Sequence, residues 1–478
     1  MKKTKIICTM GPACENEPMI REMMKTGMSV ARINFSHQNQ EINLMRLAML
    51  RKVSRELSLP LAIMADTKGP EIRLGTIPNG PVELVAGQSF KLTTEMVDGD
   101  DKTCHISFKN LPNDVSKGSK ILIDDGLIGL EVVSTTKTEI DCTVLNGGKI
   151  SSNKGVNVPG VVLSMPYISE RDREDLRFIV ENNFDYIAAS FVRKPEDVLA
   201  IREELKLLQA KNIKIISKIE NAEGVENAEE ILKVSDGIMV ARGDLGVELP
   251  LEDIPAIQKN LIAKATMAGK TVITATQMLD SMMGNPRPTR AEVTDVANAI
   301  YEGTSTIMLS GETAAGKYPV ESVQTMAKIT ESTERDIDYK ARFNSYDPNP
   351  ANYTVPDAIS YSACAAAHNL SAAAIITVTR TGGTARMISK HHPECPIVGC
   401  SADDRVVRQL AMNWGVIPMK LEDDVCDDNI FAHAIEVVEA AKLIKKGDLV
   451  IFVAGITAGE DASTTNMMRA HVVGDPVR

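Results

Sequence analysis

One lysine and two carboxylates, Lys218, Glu220 and Asp244, stand at the ends of two short apolar runs. The runs are Ile213-Lys-Ile-Ile-Ser-Lys-Ile-Glu-Asn221 and Asp236-Gly-Ile-Met-Val-Ala-Arg-Gly-Asp244. Runs rich in Ile and Val read as fully buried parallel strands, and charge at their carboxyl ends reads as an active-site rim. Hard oxygen ligands beside a fixed ammonium suit Mg²⁺-assisted phosphoryl transfer. A structural alternative stands beside this: acidic residues at strand ends also cap helices, and Lys218 could pair with either carboxylate.

Two further segments carry charge in the same way. Ala31-Arg-Ile-Asn-Phe-Ser-His37 and Asp66-Thr-Lys-Gly-Pro-Glu-Ile-Arg73 each follow an apolar run. Arg32 and Arg73 offer a cationic clamp for phosphates, while the oxygens of Asn34, Ser36, Asp66 and Thr67 suit a monovalent cation. Equally, Arg32 and Asp66 could pair with one another. Ala241-Arg-Gly-Asp-Leu-Gly246 reads as a turn into a helix, with free N–H groups for a carboxylate or phosphate. Gly311-Glu-Thr-Ala-Ala-Gly-Lys317 imitates a P-loop, but Tyr318 stands where that motif needs Ser or Thr. It is therefore expected to be a loop after a strand. Thr377-Val-Thr-Arg-Thr-Gly-Gly-Thr-Ala-Arg386 reads either as a phosphate cradle at a helix start or as a helix cap with solvated arginines.

The elements that must position these residues alternate between strand and helix. Apolar runs at 6–9, 30–33, 61–65, 186–189, 213–216, 237–240, 272–275 and 306–309 are separated by helical patterns such as 196–209 and 254–267. Eight strands in β–α order predict a (β/α)₈ TIM barrel, whose chemistry sits at the C-terminal strand ends. Between the third and fourth runs lie short alternating segments broken by Gly, Asp and Asn, which predict an inserted all-β unit. After residue 340 the composition is linker-like, and a second α/β pattern follows with runs at 375–379, 397–399, 415–417 and 449–453. The expected units are a barrel from 1–70 and 166–340, a β-barrel lid over 71–165, and a C-terminal α/β unit over 341–478.

A chain of 478 residues with 44% hydrophobic content can bury a large core. Its formal net charge of −11 and its single Trp414 argue against nucleic acid or anionic membrane as partners. The eight cysteines form no C-x-x-C pair and no zinc spacing, and no apolar run reaches membrane-spanning length. A cytoplasmic protein with reduced thiols is expected.

With these segments assembled, the sequence resembles the pyruvate kinase family. The resemblance rests on Arg32-Ile-Asn-Phe-Ser-His, Asp66-Thr-Lys-Gly-Pro-Glu-Ile-Arg, Ser217-Lys-Ile-Glu-Asn, Met239-Val-Ala-Arg-Gly-Asp-Leu-Gly-Val-Glu and Thr274-Ala-Thr-Gln-Met-Leu-Asp-Ser-Met. Lys154-Gly-Val-Asn-Val-Pro-Gly, Asn285-Pro-Arg-Pro-Thr-Arg-Ala-Glu and Met308-Leu-Ser-Gly-Glu-Thr-Ala extend it nearly end to end. It implies phosphoryl transfer from phosphoenolpyruvate to ADP, giving pyruvate and ATP in the last step of glycolysis. By the same resemblance Lys218 would stabilise the phosphoryl group, Arg32 and Arg73 would contact phosphates, and Glu220 and Asp244 would hold Mg²⁺, which Mn²⁺ could replace. Asn34, Ser36, Asp66 and Thr67 match the K⁺ pocket, and Glu71 matches the glutamate of K⁺-dependent members. Gly243, Asp244 and Thr276 match the substrate-carboxylate site, with Thr276 near the enolate. Arg73, His37, Asn34 and Lys154 correspond to the nucleotide side. Thr379, Arg380, Thr381, Gly382, Gly383 and Thr384 match a sugar-phosphate effector loop. A sugar-phosphate activator is expected, but Glu460 and Asp461 stand where some fructose-bisphosphate-activated members carry a basic or aromatic residue, which leaves fructose 1,6-bisphosphate, a sugar monophosphate and AMP open as its identity. The resemblance also implies a homotetramer and an allosteric enzyme.

Overall fold

The computed structural model describes residues 2–36, 40–210, 212–345, 353–422, 430–455 and 465–476. His37, Cys426, Glu460 and Asp461 lie outside them. Eight parallel strands close into a barrel: Lys5–Thr9, Met28–Asn34, Ala62–Asp66, Tyr186–Ala189, Lys214–Ile219, Gly237–Ala241, Thr271–Ala275 and Thr306–Leu309. The first strand pairs with both the second and the eighth, which completes the ring. Six of the eight are buried along their whole length, which is why they read as continuous apolar runs rather than as alternating patterns.

The helices between the strands begin where the sequence supplies caps. Ser169 and Asp172 bond reciprocally at the start of Glu170–Glu181, and Thr289 and Glu292 do the same for Arg290–Glu302, each satisfying backbone donors that a helix start leaves open. The second of these helices stops at Gly303, whose φ of 99° suits the left-handed cap.

Between the third and fourth barrel strands the chain leaves to build a seven-stranded sheet. Its order runs from Ile72–Arg73 through Gly155–Asn157, Lys120–Ile123, Ile128–Thr135, Glu139–Asn146 and Ser89–Thr93 to Thr103–His105. A single antiparallel bridge, Leu74 to Ile106, joins the two outer ends. This insert has its own buried core, which includes Phe90, Leu92, Ile121 and Leu130.

The C-terminal α/β unit has a five-stranded sheet in the order Val416–Lys420, Ile397–Ser401, Ala374–Val378, Leu449–Ala454, Met467–Val472. The last strand runs antiparallel at the edge. Its contact with the barrel includes the Lys3 ammonium, which lies 5.5 Å from the centre of the Trp414 ring and donates to the Glu394 carbonyl at 2.7 Å. Within the unit, His392 stacks on Trp414 with ring centroids 4.1 Å apart.

Burial, with Arg342, His391 and Lys3 adding to it, pushes the His392 imidazole down to about 3. Burial and Lys390 push His391 down to about 4. Both therefore bind protons preferentially in the unfolded chain. Their contribution to stability is complete above the ordinary value of about 6.5 and falls as the pH drops from there towards the folded values. Going from pH 7 to pH 5 is expected to cost about 2 kcal/mol per histidine. Calorimetric melting across this range tests it: His392→Asn should flatten the acid loss, and a variant with the wild-type slope would remove His392 from the account.

Candidate active site

The carboxyl ends of strands two to five bring one ion cluster together. Asp66, the last residue of strand three, accepts from Arg32 Nε at 2.6 Å and from Lys218 Nζ at 3.1 Å, using one oxygen for each. Lys218 Nζ also lies 2.9 Å from Glu220 Oε1 and donates to Ser190 Oγ at 2.8 Å. Ser190 donates to the Thr67 carbonyl at 2.6 Å, and Glu220 Oε2 accepts the Phe191 N–H at 2.5 Å. The parallel register places Asn34 directly beside Asp66, and Asn34 Oδ1 accepts from the Ser36 N–H at 2.9 Å.

Burial decides the electrostatics here, because buried charges are tolerable only when paired. Burial works against the Lys218 ammonium, yet Asp66 and Glu220 outweigh it and hold the proton more firmly than on a free lysine. Asp66 likewise overcomes its burial through Arg32 and Lys218 and stays below the usual carboxylate range. Glu220 goes the other way. Burial raises it, Lys218 counters, and the nearby Asp244 raises it further. Two carboxylates crowded in this way are what a divalent cation relieves.

Strands six and seven supply the other side of the mouth. The helix Arg242–Glu248 starts immediately after strand six, so Asp244 sits within its first turn and not ahead of it. The Gly243 N–H donates to Thr276 Oγ1 at 2.8 Å, and the Thr276 hydroxyl donates to the Ala275 carbonyl at 2.6 Å. Thr276 and Gln277 have φ of 71° and 53°, a left-handed conformation that is strained for side chains of this size. Arg242 holds that strain in place. Its guanidinium bonds the carbonyls of Ala275 at 3.2 Å and Thr276 at 2.7 Å and pairs with Asp295 at 2.6 Å. Arg242→Ala is expected to lower turnover about 100-fold through misplacement of Thr276. An unchanged rate in the folded variant would show that the strained turn keeps its shape unaided.

The insert faces this mouth across a cleft of about 500 Å³. On its side lie Arg73, paired with Glu71 at 2.7 Å, and Lys154, paired with Asp124 at 2.8 Å. Asn157 of the insert bonds Glu248 of the barrel at 3.2 Å. Burial raises the Asp125 carboxyl, and Asp244 and Asp124 add to that, which puts the tip of the insert within electrostatic reach of the barrel carboxylates.

The structure thus brings Arg32, Asn34, Asp66, Thr67, Lys218 and Glu220 together, with Gly243, Asp244 and Thr276 alongside and Arg73 and Lys154 across the cleft. Glu312, within the segment that imitates a P-loop, is a staple: it accepts the backbone N–H groups of Leu279 at 3.0 Å and Ser310 at 2.8 Å. The P-loop look-alike forms the short helix Gly311–Ala314 after strand eight, as its Tyr318 suggested. In the C-terminal unit, the loop from Thr379 to Thr384 opens the helix Gly383–Ser389. Gly382 takes the left-handed φ of 78°, and its N–H donates to Thr379 Oγ1 at 3.0 Å. Sequence reasoning missed Ser190, Phe191 and Arg242. Ser190 carried the usable signal, a polar residue at the end of a buried strand.

Among the described residues no group of three or more His, Cys, Asp or Glu could enclose a metal. The Glu220–Asp244 pair suits Mg²⁺, which takes one or two carboxylates and fills its other positions with water and substrate oxygens. The oxygen-only set Asn34, Ser36, Asp66 and Thr67 suits a monovalent cation.

A closed (β/α)₈ barrel with an ammonium–carboxylate cluster at its mouth and a capping insert defines a barrel phosphotransferase. The family description "Pyruvate kinase, barrel domain" matches residues 1–323, and "Pyruvate kinase, alpha/beta domain" matches residues 357–471. The chain belongs to the pyruvate kinase family. It is 48% identical over 477 residues to the pyruvate kinase of Sporosarcina psychrophila, covering 99% of this chain and 81% of the relative. The pyruvate kinase of Clostridium acetobutylicum is 48% identical over 474 residues, covering 99% of this chain and all of the relative. A solved pyruvate kinase from Cryptosporidium parvum superposes with a TM-score of 0.92 at 42% identity, covering 98% of this chain and 96% of that one.

Proposed function

We propose that the chain transfers the phosphoryl group of phosphoenolpyruvate to ADP and releases pyruvate and ATP, the closing step of glycolysis. The observation that carries this reading is Lys218, held at the barrel mouth by Asp66, Glu220 and Ser190 and facing Arg32. In the transfer the bond from the enol oxygen to phosphorus breaks as a bond forms from phosphorus to a terminal ADP oxygen. Negative charge spreads over the phosphoryl oxygens on the way, and catalysis consists largely of fixed positive charge placed beside them.

Lys218 and Arg32 supply that charge without reorganising, since their partners already fix them. Glu220 and Asp244 would hold Mg²⁺, which when bound supplies further charge neutralisation to the phosphoryl oxygens. Asn34, Ser36, Asp66 and Thr67 would hold K⁺. The Gly243 and Asp244 amides and Thr276 would receive the substrate carboxylate, and the resulting enolate would take its proton at carbon on the Thr276 side. Arg73 and Lys154, with Asn34 and His37, would meet the nucleotide as the insert closes and excludes water.

The reading divides the chain into the barrel, 1–70 with 166–340, a lid over 71–165 and an effector unit over 341–478. Thr379, Arg380, Thr381, Gly382, Gly383 and Thr384 would bind a sugar phosphate or AMP as activator, in a cytoplasmic homotetramer. No helix among the described residues is long and apolar enough to cross a membrane.

The test is pyruvate formation from phosphoenolpyruvate and ADP with Mg²⁺, run with and without K⁺ and then with fructose 1,6-bisphosphate, ribose 5-phosphate or AMP. Turnover that needs K⁺ supports the site, and the compound that raises it names the effector. Folded protein without turnover under any of these conditions overturns the reading.

A further inference from the structure

Side chains that face the inside of a barrel recur at every second residue of each strand and stack in layers. The ion cluster, formed by Thr9, Arg32, Asp66, Ser190 and Lys218, spans the staggered upper layers of this packing, with Arg32 beside Met64 and Asp66 beside Ala188 in the strand register. Two residues below each stand Ile7, Val30, Met64, Ala188 and Ile216. Together with Met239, Ile273 and Met308 these belong to one fully buried apolar cluster, with Ala62 and Tyr186 a further step down. One member of that cluster comes from outside the barrel. Met412, in the segment after helix Asp404–Leu410 of the C-terminal unit, is completely buried among these residues.

Met412 cannot retreat from that place, because its neighbours are tied to the lower ends of four strands. Thr306 Oγ1 donates to the Met412 carbonyl at 3.1 Å and the Tyr186 hydroxyl to the Gln409 carbonyl at 2.7 Å. Asn413 Nδ2 donates to Thr271 Oγ1 at 3.1 Å, and Lys5 Nζ to the Val416 carbonyl at 2.6 Å. The Gly415 N–H reaches the Lys3 carbonyl at 2.9 Å.

We infer that Met412 is a positioning residue for the phosphoryl transfer: it is the floor on which the layer beneath Lys218 and Asp66 rests. Protein interiors are close-packed, so a floor shortened by one side chain is followed only in part by the layer above it. The displaced layer carries Ile216, Met64 and Val30, and each of these precedes a member of the ion cluster by two residues on the same strand. Contacts of 2.6–3.1 Å in that cluster leave little room for such a shift. A change far from the reacting atoms then reaches the chemistry, because misplacement by about 1 Å can cost up to 100-fold in rate.

The proposal rests on Lys218 acting in the reaction, and a Lys218→Met arm keeps the two apart: an active Lys218→Met enzyme overturns both. The experiment compares Met412→Ala, Met412→Val and Met412→Leu in the full-length protein, with rates normalised to the folded fraction. Gln409→Ala serves as the control. It loosens the same interface by removing the side-chain bonds to the Asp185 and Asn212 carbonyls, without touching the barrel interior. Met412→Ala should lower kcat by about 10-fold or more while the KM for ADP stays put, and Met412→Leu should restore kcat. Gln409→Ala should lose melting temperature and keep kcat. If Met412→Ala does not fold, Met412→Val decides by the same criteria. A folded Met412→Ala enzyme with unchanged kcat overturns the inference. So does a leucine variant as slow as the alanine one, or kcat falling in step with melting temperature in Met412 and Gln409 variants alike.

Discussion

Lys218→Met should abolish pyruvate formation to within about a thousandth of the native rate and leave a folded protein. Removing a single preorganised donor from a water-excluded site typically costs 10²–10³ in turnover, and Lys218 carries a full charge besides. Methionine matches the length of the lysine stem, so packing against the apolar layer below survives. The charges left behind can also settle. Asp66 keeps Arg32 at 2.6 Å, and Glu220, already raised by burial, loses the cation that countered it and becomes easier to protonate. The measurement is kcat by pyruvate release together with circular dichroism. A turnover number within tenfold of the native one would remove Lys218 from the transfer.

Asp66→Asn is the second large effect, and it should strike stability and activity together. The native carboxylate is fully buried and serves two cations through separate oxygens, Arg32 on one and Lys218 on the other. Taking away one partner of a buried pair leaves an uncompensated charge, at a cost of about 3–5 kcal/mol. Asparagine keeps the shape but turns one acceptor into a donor, so Arg32 or Lys218 meets an N–H group. Lys218 would then rely on Glu220 alone and be drawn away from its place over Ser190. Urea unfolding together with kcat would show both losses. A variant as stable as the native chain would mean that the cluster is wet enough to screen its charges.

The sequence exposed the barrel well because strands buried on both faces leave continuous apolar runs, and the same logic marked the polar residues at their ends. It failed where burial is one-sided. Met467–Val472 is a half-exposed edge strand whose Met-Met-Arg-Ala-His-Val pattern has no apolar run, and it escaped notice. Gly148–Ile150 and Gly155–Asn157 are too short to carry a pattern at all. Within the site, side-chain chemistry was visible, and so were the backbone donors at 241–246, but the left-handed backbone was not. Nothing about Phe191, Thr276 or Gln277 as residue types announces a positive φ, and Glu220 is anchored by the N–H of Phe191. Arg242 lay inside a noted motif, but its partner Asp295 is 53 residues away in the chain. Only folding reveals that it braces the Thr276 turn.

The first strand, Lys5–Thr9, is flanked by the second and the eighth, so a growing polypeptide leaves the ribosome with one flank of that strand bare until Leu309 has been made. The underside stays open longer still, until the segment carrying Met412 emerges. The insert, with its own core, can be complete well before either event. From the completion of Gly155–Asn157 until Leu309 has been made, this enzyme is therefore a finished lid attached to an unfinished ring. Unpaired strand edges invite pairing with the wrong chain. The interval between residues 66 and 309 is the time during which that ring has to be kept from its neighbours.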